Sequence, residues 1–557
     1  MSGLCILPGH AEAPVLASEE GLSFWGGIDP ATSVVIDAHH PLHGTSFAGR
    51  IVMMPTTRGS CTGSGVLLEL IQNAHAPAAL IFREEENVLT LGALVAKALF
   101  GLTLPVIRLP AADYAALAAA PIAKITPEAI TAPELTIPLA PLSGDLALSD
   151  ADLAMRDGDD PALRMAMQII ETMAHLQGAP RLIDVSQVHI DGCIYASPAN
   201  LRFAQKVADM GAQVRVPTTM NAISVDHGNW RAQGVPPDFG RPAQALADAY
   251  VTMGARPSFT CAPYLLDTTP KAGEVIAWSE SNAVIYANSV LSARTEKHPD
   301  FFDLCIALTG RAPLAGPYLD ENRDATLVID VTPPEEADDA LWPMLGYLAG
   351  LHAPDRIPLL TGLEHLSATD DDLKALCAAF GTTSAAPMLH VAGHTPEAHR
   401  VAANATRTSV TSEDLARVWA QFNAGPAQVD LVAFGSPHFS LSETRRLAEL
   451  LDGHRCHPDT ATIVTLGRDT LAEVEADGTL AKLHAAGVQV VPDICWCSIS
   501  EPVFPPSART LMTNSGKYAH YAPGLSDRAV RFGSLADCAH TARTGTAPEA
   551  PPSWLAG

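Results

Sequence analysis

Apolar residues in the first third of the chain come in short runs that alternate between two spacings. Val34-Val35-Ile36 forms one continuous run and Gly49 to Met54 another, each of strand length. From about Val66 to Ala74 the apolar positions recur every three to four residues, the spacing of one helix face, and Ala79 to Phe82 is a short apolar run again. Strand, helix and strand in succession predict βαβ units and a parallel sheet. The stretch from Val88 to Ile107 is long enough to raise a membrane span, but Lys97 lies at its centre and Gly92, Gly101 and Pro105 interrupt it. It predicts a buried helix running into a strand.

Between Thr126 and Pro141 the periodicity weakens while Pro127, Pro133, Pro138 and Pro141 accumulate, and an acid-rich stretch from Asp145 to Asp160 follows. This places a domain boundary near residue 145, dividing the chain into 1–145 and 146–557. The second part resumes with an amphipathic run from Pro161 to Leu176 and carries further strand-like runs at Leu327 to Val331, Leu431 to Phe434 and Val488 to Val491. It reads as several α/β lobes.

Composition narrows the function. Of 557 residues, 47% are hydrophobic and only 17% charged, a balance that folds. Lys and Arg number 35 against 61 Asp and Glu, a net charge of −26 that repels a phosphate backbone and makes nucleic-acid or anionic-membrane binding a poor expectation. The segment MSGLCILPGHAEA lacks the basic and apolar regions of an export signal, and ten cysteines without regular spacing fit a reducing compartment, so a cytoplasmic home is expected.

Several loops carry candidate chemistry. In residues 57–65 the sequence Thr57-Arg58-Gly59-Ser60-Cys61-Thr62-Gly63-Ser64-Gly65 lies between a strand and a helix. Glycines there free backbone N–H groups, the helix dipole favours negative charge and Arg58 adds a cation, so the loop can stabilise an anion or an alkoxide. Ser60 or Ser64 acting only as a helix cap is the other reading. A Walker loop is excluded, because no Gly-Lys-Ser/Thr ends the run. Cys495-Trp496-Cys497 can present two sulfurs to one metal centre from an extended segment, and Cys261 is a further candidate thiol; Cys5, Cys193, Cys305, Cys377, Cys456 and Cys538 read as small buried hydrophobes. His39, His40 and His43 read as loop-stabilising, and His390 with His394 lacks the glutamate of a zinc helix. Thr513-Asn514-Ser515-Gly516-Lys517 offers a cation among hydroxyl and amide donors, suited to a carboxylate or simply to a surface turn. Ser279-Glu280-Ser281-Asn282 reads as a capped helix start.

Taken together, these loops resemble aconitase X, a branch of the aconitase superfamily. The resemblance covers nearly the whole chain: Gly49-Arg50-Ile51-Val52 with the serine loop, His189-Ile190-Asp191-Gly192, Val216-Pro217-Thr218-Thr219, Thr260-Cys261-Ala262-Pro263-Tyr264, Glu280-Ser281-Asn282-Ala283 and Thr513 to Lys517. It implies an α/β, aconitase-like fold, with a small swivelling domain over 1–145 and a large multi-lobed catalytic domain over 146–557. Small domain before large domain in one chain resembles the fused bacterial type, whose members dehydrate cis-3-hydroxy-L-proline and need no partner chain. The two-chain relatives act on mevalonate 5-phosphate. Those relatives carry Gly-Cys-Pro-His where this chain has Gly435-Ser436-Pro437-His438, and the second thiol of Cys495-Trp496-Cys497 can replace the missing ligand.

The resemblance thus implies an iron-sulfur cluster on Cys261, Cys495 and Cys497, with 2Fe-2S favoured over 3Fe-4S or 4Fe-4S. Ser64, His189, Thr219, Asn221, Asn282, Asn514 and Ser515 are expected to line the substrate cleft, and Lys517 to hold the substrate carboxylate. In the cis isomer the carboxylate and 3-hydroxyl share one ring face, so anti elimination needs its base on the opposite face; Ser60, supported by Arg58 and the helix terminus, is the expected base. A cluster-free relative acting as an RNA-binding regulator is the competing class, and the net charge opposes it.

Overall fold

The computed structural model describes residues 2–37, 40–57 and 62–555. Arg58 and Ser60 of the serine loop and His39 of the histidine trio lie outside the described residues. The chain falls into two units, one of Met1–Thr218, Asp248–Ala255 and His298–Ala315, the other of Thr219–Ala247, Arg256–Lys297 and Gly316–Gly557.

The first unit opens with eight strands, β1 (Gly3–Leu7), β2 (Ala11–Ala17), β3 (Ile51–Met54), β4 (Ala79–Phe82), β5 (Val106–Arg108), β6 (Ile122–Ile125), β7 (Ala129–Ala132) and β8 (Leu135–Pro141). They close into a barrel in the order β1-β5-β4-β3-β2-β6-β7-β8. Strands β2, β3, β4 and β5 are mutually parallel, and α1 (Gly63–Gln72) and α2 (Val88–Phe100) supply the crossovers from β3 to β4 and from β4 to β5. Ile51, Met53, Ile81, Ile107, Ile125, Ile130 and Ile137 fill the barrel. Val52, Met54, Leu80 and Phe82 alternate with them yet are buried as well, which is why these strands read as continuous apolar runs.

Three expectations change here. Val34-Val35-Ile36 forms no regular strand, only isolated bridges from Val34 to Ser46 and Val35 to Ile28, because Ser33 at φ 63° and the turn around Gly26 fold the segment back on itself. Residues 126–141 are two strands, not a weakly structured approach to a boundary. Ile137 is buried between exposed Thr136 and Pro138, so the period of two is present and the prolines disguise it. Ser64 does not cap α1: Thr62 occupies the N-cap, makes no side-chain cap bond, and Ser64 lies inside the helix, while Ser60 lies outside the described residues. Gly92, which interrupts the run from Val88, is a packing requirement, since a Cβ there would stand 2.7 Å from the Ser64 carbonyl oxygen.

The acid-rich stretch after the barrel is helix capping. Ser149 and Asp152 form a reciprocal capping box on the helix Asp150–Asp157, and Asp160 accepts the N–H groups of Ala162 and Leu163 at the start of the helix Pro161–Leu176.

The second unit is built on two parallel sheets. One has four strands in the order His390–Val391, Pro358–Thr361, Ala325–Val331 and Val401–Val410; the other has five, in the order Gln489–Pro492, Ala461–Leu466, Leu431–Phe439, Thr510–Thr513 and Ala529–Phe532. Val432, Phe434, Val464, Leu466 and Met512 pack the second sheet against Leu447, Leu451, Leu483 and Cys538 of its helices. In such sheets the groups that meet a ligand gather beyond the carboxyl ends of the strands. The region past Pro492, around His438 and past Thr513 is therefore where chemistry belongs. Among the described residues no helix is long and apolar enough to cross a membrane.

Candidate metal centre

Three thiols converge at this edge of the second unit. Cys261, Cys495 and Cys497 cluster around Ala222, with Cys261 and Cys495 buried and Cys497 half-buried. Cys495 and Cys497 follow the strand Gln489–Pro492, and Cys261 precedes a short turn at Pro263–Leu265. The neighbouring sulfurs of Cys261 and Cys497, aided by the nearby Lys517 ammonium, hold the Cys495 thiol below its ordinary value, while the Cys495 sulfur and burial push Cys261 and Cys497 up.

His438 ties the segments together. Its backbone N–H donates to Cys261 Sγ at 3.3 Å. Its Nε2 lies 2.8 Å from the Ile494 carbonyl, which can only accept, so Nε2 carries the proton. Burial pushes this imidazole below its ordinary value, and the neutral ring's Nδ1 accepts from the Thr260 hydroxyl at 3.1 Å. Thr260 in turn accepts the Ala262 N–H at 3.1 Å. The residues flanking Cys261 and Cys495 thus share one hydrogen-bonded chain through His438. Ser515, N-cap of the helix Gly516–Ser526, donates to the Ser436 carbonyl. Ser436 Oγ is buried and has no hydrogen-bond partner among the described residues.

Beside the thiols lies a buried ion pair. Lys517 Nζ donates to Glu280 Oε1 at 2.8 Å, and each side chain is only 10% exposed. Asn282 donates to the same carboxylate at 2.7 Å and to the Cys261 carbonyl at 3.0 Å, while Asn221 donates to Glu280 Oε2 at 3.2 Å. Burial pushes the Glu280 carboxyl up, but Lys517 and the amide donors outweigh it and hold the group below the usual carboxylate range. Burial alone would lower Lys517; Glu280 and the cysteine sulfurs reverse that and raise it well above its ordinary value. Tyr264 fixes Asn282 by donating to its Oδ1 at 2.8 Å and stacks on Tyr286.

Of the residues singled out in the sequence, Cys261, Cys495, Cys497, Asn221, Asn282 and Lys517 therefore meet at one place, with Ser515 joined through Ser436. Asn514 is half-buried beside Ser515, and Thr219 is buried in the strand Thr218–Met220. Ser64 and His189 belong to the first unit, both fully buried, with Ser64 Oγ donating to the Asp300 carbonyl at 3.3 Å. The expectation of a capped helix start at Ser279 to Asn282 fails: Glu280 occupies the N-cap without a side-chain cap bond and turns its carboxylate to Lys517. The surface-turn reading of Thr513 to Lys517 fails too, because this segment is buried save for half-buried Asn514. Glu280, Tyr264 and His438 take larger parts than the sequence assigned them. The Glu280 signal was a lone carboxylate between two apolar runs, but its partner lies 237 positions away. His390 and His394 bond separately to the carbonyls of Arg323 and Leu363, and make no metal pair.

Among the described residues no group of three or more His, Cys, Asp or Glu side chains is placed to hold a single metal ion. Three free thiols gathered in one spot nevertheless match the donor set that binds iron-sulfur clusters, and the buried Ser436 hydroxyl has no partner among the described residues. The residues fit such a group.

Parallel sheets with a thiol site at their carboxyl edge and a preceding β-barrel define a protein of the aconitase type. The chain matches the aconitase X swivel domain over residues 1–132, and the aconitase X first, second and third domains over 145–321, 325–420 and 429–544. It belongs to the aconitase X family. It is 50% identical to the cis-3-hydroxy-L-proline dehydratase of Pseudomonas aeruginosa across 99% of this chain and 97% of that protein. It is 33% identical to the phosphomevalonate dehydratase large subunit of Methanothermobacter thermautotrophicus, across 69% of this chain and 95% of that protein. The crystal structure of Thermococcus kodakaraensis aconitase X in its holo form is similar with a TM-score of 0.65 and 30% identity, covering 71% of this chain and all of that one. Membership of the family implies an iron-sulfur cluster.

Proposed function

We propose that this chain is a hydro-lyase that removes water from cis-3-hydroxy-L-proline, giving an enamine that tautomerises to Δ1-pyrroline-2-carboxylate. The observation that carries the reading is the convergence of Cys261, Cys495 and Cys497 with the buried Lys517–Glu280 pair. Likeness to the Pseudomonas dehydratase over almost the entire chain supports this substrate, and with it a single fused chain that needs no partner subunit. The nine described cysteines are all free thiols, which supports a cytoplasmic enzyme.

In this reading Cys261, Cys495 and Cys497 hold a 2Fe-2S cluster. Bound there, it would supply a Lewis acid for the substrate carboxylate and 3-hydroxyl. The chain's own groups do the rest. The His438 N–H donates to the Cys261 sulfur and fixes its position. Lys517 has three N–H donors, one of which goes to Glu280, and offers another to the substrate carboxylate. Asn221 and Asn282 keep Glu280 charged, so the lysine is fixed before substrate arrives. Asn514, Ser515 and Thr219 are assigned to substrate binding in this reading, as are Ser64 and His189 of the first unit. Ser60 of the swivelling domain, residues 1–145, takes the α-proton from the ring face opposite the hydroxyl, its alkoxide stabilised by Arg58 and the following helix terminus.

The test supplies purified protein separately with cis-3-hydroxy-L-proline and with mevalonate 5-phosphate and follows product formation. Pyrroline carboxylate from the first and no turnover of the second is the expected result. Turnover of the phosphorylated substrate alone would replace this reading.

A further inference from the structure

Two residues near the thiols hold an unusual backbone. Phe259, at φ 42°, and Asp493, at φ 72°, are both left-handed without being glycine, and each stands two positions ahead of a cysteine, Cys261 and Cys495. Such conformations persist only where the surroundings over-determine them. Both side chains are fully buried, and both meet the same third residue. Arg468, first residue of the helix Arg468–Ala476, forms a fork-to-fork pair with Asp493, Nε to Oδ1 at 2.7 Å and a terminal nitrogen to Oδ2 at 2.8 Å. Its guanidinium lies 4.5 Å over the Phe259 ring centroid. Around this point His227 donates its backbone N–H to Asp493 Oδ2 at 3.1 Å, and Ile223 donates to the Asp493 carbonyl at 2.8 Å, next to Ala222 of the thiol cluster.

We infer that Arg468 is a positioning residue that clamps the two cysteine-bearing segments into the register in which their sulfurs meet. It touches neither thiol. One face of its planar cation holds the ring ahead of Cys261, and its fork holds the carboxylate ahead of Cys495. A lysine could supply the charge but neither the bidentate geometry nor the stacking. Removing the clamp frees both strained residues to relax and separates the sulfurs. The inference rests on reading the trio as cluster ligands.

The test compares anaerobically purified wild type, Arg468→Met, Arg468→Lys and Phe259→Leu. Arg445→Met, which removes an exposed pair with Asp477, serves as control. Iron loss to a ferrous chelator, the visible circular dichroism of the cluster and the urea midpoint are recorded for each. Arg468→Met is expected to lose iron at least about tenfold faster than wild type with an altered visible dichroism, as loss of outer support does at other metal sites. Arg468→Lys and Phe259→Leu are expected to fall between, and Arg445→Met to match wild type. Lowered urea stability with unchanged iron release and dichroism would mark an ordinary structural ion pair and overturn the inference. If Arg468→Met does not fold, the lysine and leucine variants decide it, and wild-type rates in both would overturn it. Iron-free wild-type protein would refute the ligand reading itself, and the clamp with it.

Discussion

Replacing Lys517 with methionine keeps the length of the side chain and removes its charge, leaving the Glu280 carboxylate buried among uncharged partners. Breaking a buried ion pair from one side typically costs about 3–5 kcal/mol. Glu280 retains Asn221 at 3.2 Å and Asn282 at 2.7 Å, and amide bonds to a charged group are each worth about 1.5–3 kcal/mol, so the loss belongs at the lower end, about 3 kcal/mol. Glu280→Gln alone leaves the ammonium unpaired at a similar cost. The double variant leaves no buried charge and is expected to lose less than the two single variants added together, with a coupling of at least about 1 kcal/mol. Urea unfolding of cluster-free protein at pH 7 measures this, with Trp496 as local reporter, its indole buried 5.2 Å from the Tyr518 ring and bonded to the Phe434 carbonyl. Turnover separates structure from chemistry, because the double variant regains stability but not the carboxylate-binding ammonium. Additive losses, or a Lys517→Met variant within about 0.5 kcal/mol of wild type, would refute the reasoning.

Two further outcomes are expected. Burial pushes the His298 imidazole down to about 3. The unfolded chain binds this proton near pH 6.5 and the folded chain does not, so the stability contribution is complete above 6.5 and is lost as pH falls toward 3. By pH 5 the loss is about 2 kcal/mol; urea midpoints should fall accordingly, and more gently in His298→Asn. Ser60→Ala should keep the visible absorbance of the cluster and lose most turnover, measured as pyrroline carboxylate formed per iron; retained turnover would remove Ser60 from the base role.

Local signals carried the parts of the fold that depend on neighbours in sequence. The helix Pro161–Leu176 was legible to the residue, because Asp160 caps it, proline suits its first position and its apolar face repeats cleanly. The strand at Ala79–Phe82 and the helix from Val88 were legible from their apolar runs. Residues 126–141 were not, since prolines at exposed positions of a barrel strand imitate a linker. At the site, Cys495 and Cys497 were readable together because they lie on one segment. Resemblance brought Cys261 to them, since it lies 234 positions before Cys495. Glu280 was misread for a physical reason: an acidic residue at a helix start has a sufficient local explanation, and only the fold brings Lys517 to it. The Arg468 clamp was invisible in sequence, because left-handed Phe259 and Asp493 have no compositional signature.

The central claim, a cluster-bearing dehydratase built on the three thiols, is tested most directly by one comparison. Anaerobically purified wild type and the Cys261→Ser, Cys495→Ser and Cys497→Ser variants are assayed for iron, sulfide, visible absorbance and turnover of cis-3-hydroxy-L-proline. The expected result is a coloured, iron-bearing and active wild type, with chromophore and turnover lost together in each variant. A colourless wild type that forms pyrroline carboxylate, or a serine variant that keeps both colour and turnover, would contradict it.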